Sequence, residues 1–148
     1  MEALDYEALS KEVAELLAKA ETIIFATSSN DRVTARTMCH VNDGTDIYFG
    51  TSRTSLKYAQ LTANPNVALA TGGLQIEATA VDCGNPDENP DYKRIYVAKF
   101  PHLGGLYEST PDYVVIKCIP EKIIVYRYIN GTVWDTLDVE NKKAYRTA

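Results

Sequence analysis

The sequence predicts a mainly β domain, in which an antiparallel sheet of six to eight strands closes into a small barrel with two or three helices outside it. Three observations carry this. Short β-branched or alternating runs recur along the chain. Most neighbouring runs are joined by tight-turn signals such as Asn42-Asp43-Gly44, Gly72-Gly73 and Asn130-Gly131. Regular strand–helix alternation and the glycine signatures of dinucleotide and P-loop folds are both missing, which argues against a doubly wound sheet.

Leu9, Val13, Leu16, Leu17 and Ala20 share one helical face, and Asp5 is a suitable N-cap, so a helix runs from about Tyr6 to Ala20. Thr22–Ser28 is a β-branched strand bounded by the turn signal Ser29-Asn30-Asp31. Arg32–Val41 alternates, with Val33, Ala35, Cys39 and Val41 on one side and Arg36, Met38 and His40 on the other. After the Asn42-Asp43-Gly44 turn come strand Asp46–Thr51, a polar corner and a helix of about ten residues ended by Asn64-Pro65. Val67–Thr71 and Leu74–Cys83 form the next hairpin. The stretch GNPDENP is a loop, Asp91–Phe100 a helix, and Pro101 to Pro111 irregular. Tyr113–Ile119, Lys122–Ile129 and Thr132–Leu137 complete the strands, and residues 1–5 and 138–148 are expected to fray.

A chain of 148 residues without a linker or repeat reads as one domain. Its net charge of −5, with no run of Lys or Arg, argues against a general nucleic-acid binder. No stretch approaches the length of a membrane span, and the acidic, amphipathic start is not a signal peptide, so no membrane partner is expected. Cys39, Cys83 and Cys118 are odd in number, far apart and form no zinc pattern. No metal is expected, and a reducing cytoplasmic setting suits them.

The chemistry concentrates in one stretch, FGTSRTSLKYAQ. The start of a helix presents unpaired N–H groups and the positive end of a dipole, which favour an anion such as phosphate. Thr51, Ser52, Thr54 and Ser55 supply hydroxyls there, and Lys57 a charge one turn in. Arg36, on the neighbouring strand, adds a planar fork of donors, and Gly50 would let a flat ligand approach the backbone. The same residues also read as a helix cap, a solvated lysine and a surface arginine, and spacing alone does not choose.

The series RTMCHVNDGTDIYFGTSRTSLKYAQLTANPNVAL closely resembles the core of the pyridoxamine 5′-phosphate oxidase-like FMN-binding split-barrel family. The shared parts are Arg36, the Asn42-Asp43-Gly44 turn, Tyr48-Phe49-Gly50-Thr51, Ser55-Leu56-Lys57 and Asn64-Pro65, and the likeness covers about residues 8–137. It implies that the barrel is split, that FMN is the cofactor, and that Arg36, Ser55 and Lys57 hold its phosphate. It further implies that Arg36, Thr37 and Met38, with Phe49, Gly50 and Thr51, line the isoalloxazine largely through backbone groups. The family is homodimeric with flavin at the subunit interface, which assigns Gln75 and Trp134 to the partner's flavin. Trp134 reads equally well as a half-buried strand aromatic. A polar strand face at Arg36, Met38 and His40 and a polar-aromatic one around Tyr48 are the surfaces expected to be covered by pairing.

Two departures argue against vitamin B6 oxidation. The family's namesake enzymes usually carry Arg before the helix lysine, where this chain has Leu56. They also have an Arg-x-His segment near the C-terminus, where this chain ends in Arg146-Thr147-Ala148. The expectation is therefore an FMN-dependent oxidoreductase, flavin reductase-like, acting on an unidentified small molecule. A non-enzymatic electron carrier or stress-linked redox sensor remains open, as does a split barrel binding a deazaflavin or haem. Neither His40 nor His102 has a carboxylate at suggestive spacing, and no catalytic residue is nominated.

Overall fold

A computed structural model of the chain describes residues 1–103 and 112–148. Its strands are β1 (Glu2–Leu4), β2 (Thr22–Ser29), β3 (Arg32–Cys39), β4 (Val41–Asp43), β5 (Asp46–Ser52), β6 (Asn66–Thr71), β7 (Leu74–Asp82), β8 (Tyr113–Tyr128), β9 (Thr132–Asp138) and β10 (Lys143–Thr147). Its helices are α1 (Tyr6–Lys19), α2 (Leu56–Ala63) and α3 (Pro90–Lys99), with short 3₁₀ turns at Pro86–Glu88 and Pro101–Leu103. Of the stretch read as irregular, residues 104–111 lie outside the described residues.

All strand pairs are antiparallel, in the order β1-β10-β9-β8-β7-β6-β2-β3, with β5 on the N-terminal half of β8 and β4 on β5. β3 and β5 are thus the two sides of a gap in the wall, and the fold is a split barrel. Phe25 of β2 and Phe49 of β5 meet across it, with ring centroids 4.6 Å apart. The interior is filled by Val13, Leu17, Ile23, Ile47, Leu69, Ile76, Ile116, Ile123 and Leu137.

Local chemistry explains most boundaries. Asp5 caps α1 by accepting from the Ala8 N–H at 2.9 Å. Asn30 and Asp31 both have positive φ, the conformation of a two-residue type I′ hairpin turn that matches strand twist. The next hairpin turns at Gly44-Thr45, one step beyond the expected position, because Asn42 and Asp43 remain paired with β5. On α1, Leu9, Val13 and Leu17 are buried as expected, whereas Leu16 is 38% exposed at the rim of the stripe.

Further expectations are corrected. The runs at residues 113–119 and 122–129 form one strand, β8, because Pro120 sits at a bulge where Glu121 is inserted between the pairs Ala78–Pro120 and Glu77–Lys122. A missing N–H is tolerated at such a bulge. Both chain ends expected to fray are paired into the sheet, β10 with β9 and β1 with β10, which gives ten strands among the described residues. The ends are pinned by Asp135, 1% exposed, which accepts from Arg127 Nε and Arg146 Nε, both at 2.7 Å. Arg127 continues to Glu12 of α1 at 2.7 Å, so Arg146 in the tail is part of this lock. Finally, the alternation along β3 stops at Cys39. His40 leaves the strand path, so His40 and Val41 are both buried in succession and His40 does not share the face of Arg36.

Candidate functional site

The β5–α2 corner is closed by its own hydroxyls. Ser55 is the N-cap of α2: its Oγ accepts from the Tyr58 N–H at 3.2 Å and donates to the Ser52 carbonyl at 2.8 Å. Thr51 Oγ1 lies 3.1 Å from Ser55 Oγ, and Ser52 Oγ accepts from the Thr54 N–H at 3.2 Å. Among the described residues, the N–H groups of Leu56 and Lys57 are left without a partner in the fold. These are the donors that a helix N-terminus offers to an anion.

Arg36 projects from β3 toward this corner on the inner face of the sheet, opposite Phe25. Nη1 donates to Thr27 Oγ1 at 2.9 Å and to the Phe25 carbonyl at 3.2 Å, and Nη2 donates to Thr34 Oγ1 at 2.5 Å. The two threonine oxygens are 3.4 Å apart and receive the end of the guanidinium. Its side edge, formed by Nε–H and the second Nη2 N–H, is left free among the described residues. That edge is a fork of parallel donors suited to a phosphate or carboxylate.

Lys57 is near enough to feel this charge. Burial pushes its ammonium below the ordinary lysine value, and Arg36 lowers it further. Burial alone lowers Arg36. Among the described residues neither cation meets a carboxylate, whereas nearby Arg53 lies 3.8 Å from Asp82. Asp82 in turn accepts from the Tyr58 hydroxyl at 2.6 Å and the Gly84 N–H at 2.8 Å. Two half-buried cations beside free helix N–H groups, with no acid between them, form a site electrostatically complementary to an anion.

The other expected site residues divide by sheet face and edge. Thr37 is exposed on the outer face and Met38 packs on the main core. Phe49 is fully buried, so only its backbone can face a ligand. β4 pairs with β5 only as far as Tyr48, so Phe49, Gly50 and Thr51 have β8 on one side and an open edge on the other. Among the described residues β3 likewise pairs with β2 alone. The segments Arg36–Met38 and Phe49–Thr51 therefore flank the same split.

Gly50 does not leave its face open. A Cβ there would lie 1.9 Å from the Tyr113 ring, whose hydroxyl is 3.3 Å from that of Tyr92 on α3. A flat ligand laid on the backbone at Gly50 would meet that ring. His40, grouped with Arg36 in the sequence reading, donates from Nε2 to the Leu17 carbonyl at 2.9 Å, while among the described residues Nδ1 has no partner. Burial, and next the Lys99 ammonium, lower it to about 4. It belongs to the packing of α1, and His102 is exposed on its 3₁₀ turn.

Gln75 and Trp134 are on the other side of the sheet from Arg36. A row runs across the strands from Thr37 through Ile24, Ala70 and Gln75 to Ile124. Trp134 faces Tyr126 one step further along β8, with the two rings 6.5 Å apart. The same outer side exposes Ile24 (49%), Val33 (70%) and Tyr126 (53%), whereas Arg36 and Met38 face inward and His40 is buried, so these three do not form the exposed strand face expected from the sequence. One residue that sequence reasoning missed is Gln60, buried on α2 at 5% exposure. Its partners lie 33 and 26 residues away, and no local spacing marks it.

Comparison with known proteins agrees with the fold. The model of the pyridoxamine 5′-phosphate oxidase family matches residues 9–126. General stress protein 26 of Bacillus anthracis is 25% identical, with a TM-score of 0.61 over 76% of this chain and 90% of that one. The Campylobacter jejuni protein ChuZ, 15% identical, superposes with a TM-score of 0.75 over 98% of this chain and 64% of its own. An FAD-binding protein of Mesorhizobium loti, 13% identical, gives 0.62 over 78% and 89%. No curated protein sequence matches the chain.

Proposed function

The chain belongs to the pyridoxamine 5′-phosphate oxidase family, and from that premise we propose that it binds FMN and acts as a flavin-dependent, flavin reductase-like oxidoreductase on a small molecule. The observation that carries the reading is the unneutralised pair Arg36 and Lys57 beside the free N–H groups of Leu56 and Lys57. The free edge of Arg36, the Lys57 ammonium and these N–H groups hold the phosphate, and Ser55 shapes the turn. The open edges at Arg36–Met38 and Phe49–Thr51 offer backbone groups to the ring. FMN supplies the electron and hydride chemistry, and the protein sets its orientation and access.

The working unit in this proposal is a homodimer in a reducing cytoplasm, where Cys39, Cys83 and Cys118 stay as the free thiols they are here. Pairing through the outer sheet covers Ile24, Val33 and Tyr126 and carries Gln75 and Trp134 to the partner's flavin. An absorption spectrum of the protein, as purified and after addition of FMN, tests the reading. Flavin bands that stay with the protein through gel filtration support it, and a colourless protein that takes up no FMN refutes it.

A second reading, a carrier or redox sensor with the same cofactor, is favoured by the likeness to a protein named for general stress. Reduction by NADH or NADPH with a panel of acceptors separates the two. Catalytic turnover supports the enzyme, and slow single-turnover reduction supports the carrier.

A further inference from the structure

We propose that Gln60 is the positioning residue that aims the free edge of Arg36 at the ligand's phosphate; the ligand half of this inference rests on the function proposed above. Gln60 Oε1 accepts from Thr27 Oγ1 at 2.6 Å and from Thr34 Oγ1 at 2.6 Å. A hydroxyl has one hydrogen to give, so each threonine spends it on Gln60 and turns its lone pairs elsewhere. Those lone pairs receive Arg36 Nη1 at 2.9 Å and Nη2 at 2.5 Å. Without the Gln60 carbonyl the threonines could rotate and donate, and a donor facing a guanidinium repels it. The amide thus fixes the polarity of both hydroxyls, and they in turn fix the end of the guanidinium.

The consequence reaches the ligand because of where Gln60 sits. It is on α2, the helix whose first turn carries Ser55 and Lys57, and its Nε2 leans toward the Arg32 carbonyl of β3 at 3.5 Å. The same side chain therefore ties the helix half of the anion site to the strand half. Burial at 5% exposure keeps water from replacing the carbonyl as acceptor. Removing it loosens the aim of Arg36 while leaving its charge in place.

The test compares Gln60→Leu, Thr34→Val and Thr34→Ser with wild type. FMN and riboflavin affinities are measured by flavin fluorescence, and the Arg36 Nε–H is followed by ¹⁵N NMR in the flavin-free protein. Gln60→Leu and Thr34→Val should each lose about tenfold in FMN affinity, a change comparable to one good hydrogen bond. Riboflavin, which has no phosphate, should be little changed, and Thr34→Ser should keep wild-type behaviour for both. The Arg36 Nε–H resonance should be distinct in wild type and Thr34→Ser, and should collapse toward that of a mobile arginine in the other two. Equal losses of FMN and riboflavin, or an unmoved Arg36 resonance in folded Gln60→Leu, would overturn the inference. If wild type binds no FMN, the proposed function falls and the resonance alone decides the role of Gln60. If Gln60→Leu fails to fold, the two Thr34 variants decide it.

Discussion

Acidification from pH 7 to pH 4 should destabilise the protein through His40, and the effect can be isolated. The imidazole is fully buried, donates to the Leu17 carbonyl at 2.9 Å and, among the described residues, has no partner for Nδ1. A second proton on Nδ1 would place a cation in the packing between α1 and β4 with nothing to receive it. Burial is the main reason its pKa falls from the ordinary 6.5 to about 4, the nearby Lys99 ammonium adds to it, and the Leu17 bond opposes it. Because the group is a base with a lowered folded pKa, its contribution to stability is fully present above pH 6.5. It declines as pH falls and is spent below about 4. At about 1.4 kcal/mol per decade, that interval corresponds to about 3 kcal/mol, a sizeable part of a small domain's stability.

His40→Gln is the control, since its amide can donate to Leu17 and cannot titrate. Urea midpoints for both proteins between pH 4 and 8 give the difference curve. That curve should be flat above pH 7, steepest near pH 5, and worth about 3 kcal/mol at pH 4. Losses from carboxylates are common to both proteins and cancel. Parallel curves across the whole range would refute the argument and show that the protonated ring finds water or a rearranged acceptor.

Lys57→Ala should weaken FMN binding by about 1.5–3 kcal/mol, the scale of a hydrogen bond to a charged group, and riboflavin much less. Isothermal titration with both ligands checks this, and equal losses would make Lys57 structural. Asp135→Ala leaves Arg127 and Arg146 facing each other without their shared acceptor, and should cost about 3 kcal/mol in chemical denaturation. Gly50→Ala drives a methyl into the Tyr113 ring. It should cost about 1–3 kcal/mol of stability, and a melting temperature equal to wild type would show that the ring moves freely. Pyridoxamine or pyridoxine 5′-phosphate should not be turned over at an ordinary enzyme rate, on the order of 1 s⁻¹ or more, because Arg146 is held by Asp135 and Leu56 brings no charge. FMN should shift a monomer–dimer equilibrium toward dimer in a sedimentation dilution series, and a monomer that binds FMN stoichiometrically would refute the shared site.

The fold was legible wherever a local signal sufficed. Asp5, the Asn30-Asp31 turn, Ser55 and Asn64-Pro65 each act on residues within a few positions, and the elements they bound lie as read. What was missed depends on distant chain. Pro120 looks like a strand end until pairing with β7 shows it beside a bulge within β8, at Glu121. The polar tail looks frayed until Asp135 gathers Arg127 and Arg146. His40 continues the alternation of β3 in sequence, but it is buried with its Nε2 on the Leu17 carbonyl near the end of α1. In the site, the cations and the cap were legible as types in a pattern. Gln60 and Tyr113 were not, because their roles exist only once α2 covers β2 and β3 and once β8 lies against β5.

The same geometry bears on why so polar a corner is joined to so apolar an outer sheet. Arg36 projects from the inner face of the sheet, while Gln75 and Trp134 lie on its outer face. The face at Gly50 is filled by Tyr113, while among the described residues the edges of β3 and β5 at the split keep open backbone groups. A ring in that split, with its phosphate at α2, would have one side toward its own barrel and the other toward solvent. A second copy laid against the exposed Ile24, Val33 and Tyr126 would exclude that solvent and complete the wall with its own Gln75 and Trp134. In this proposal the apolar sheet and the charged corner are two halves of one requirement. On that reading the anion site would fix the cofactor's tail within a chain, and the hydrophobic face would close its ring between chains.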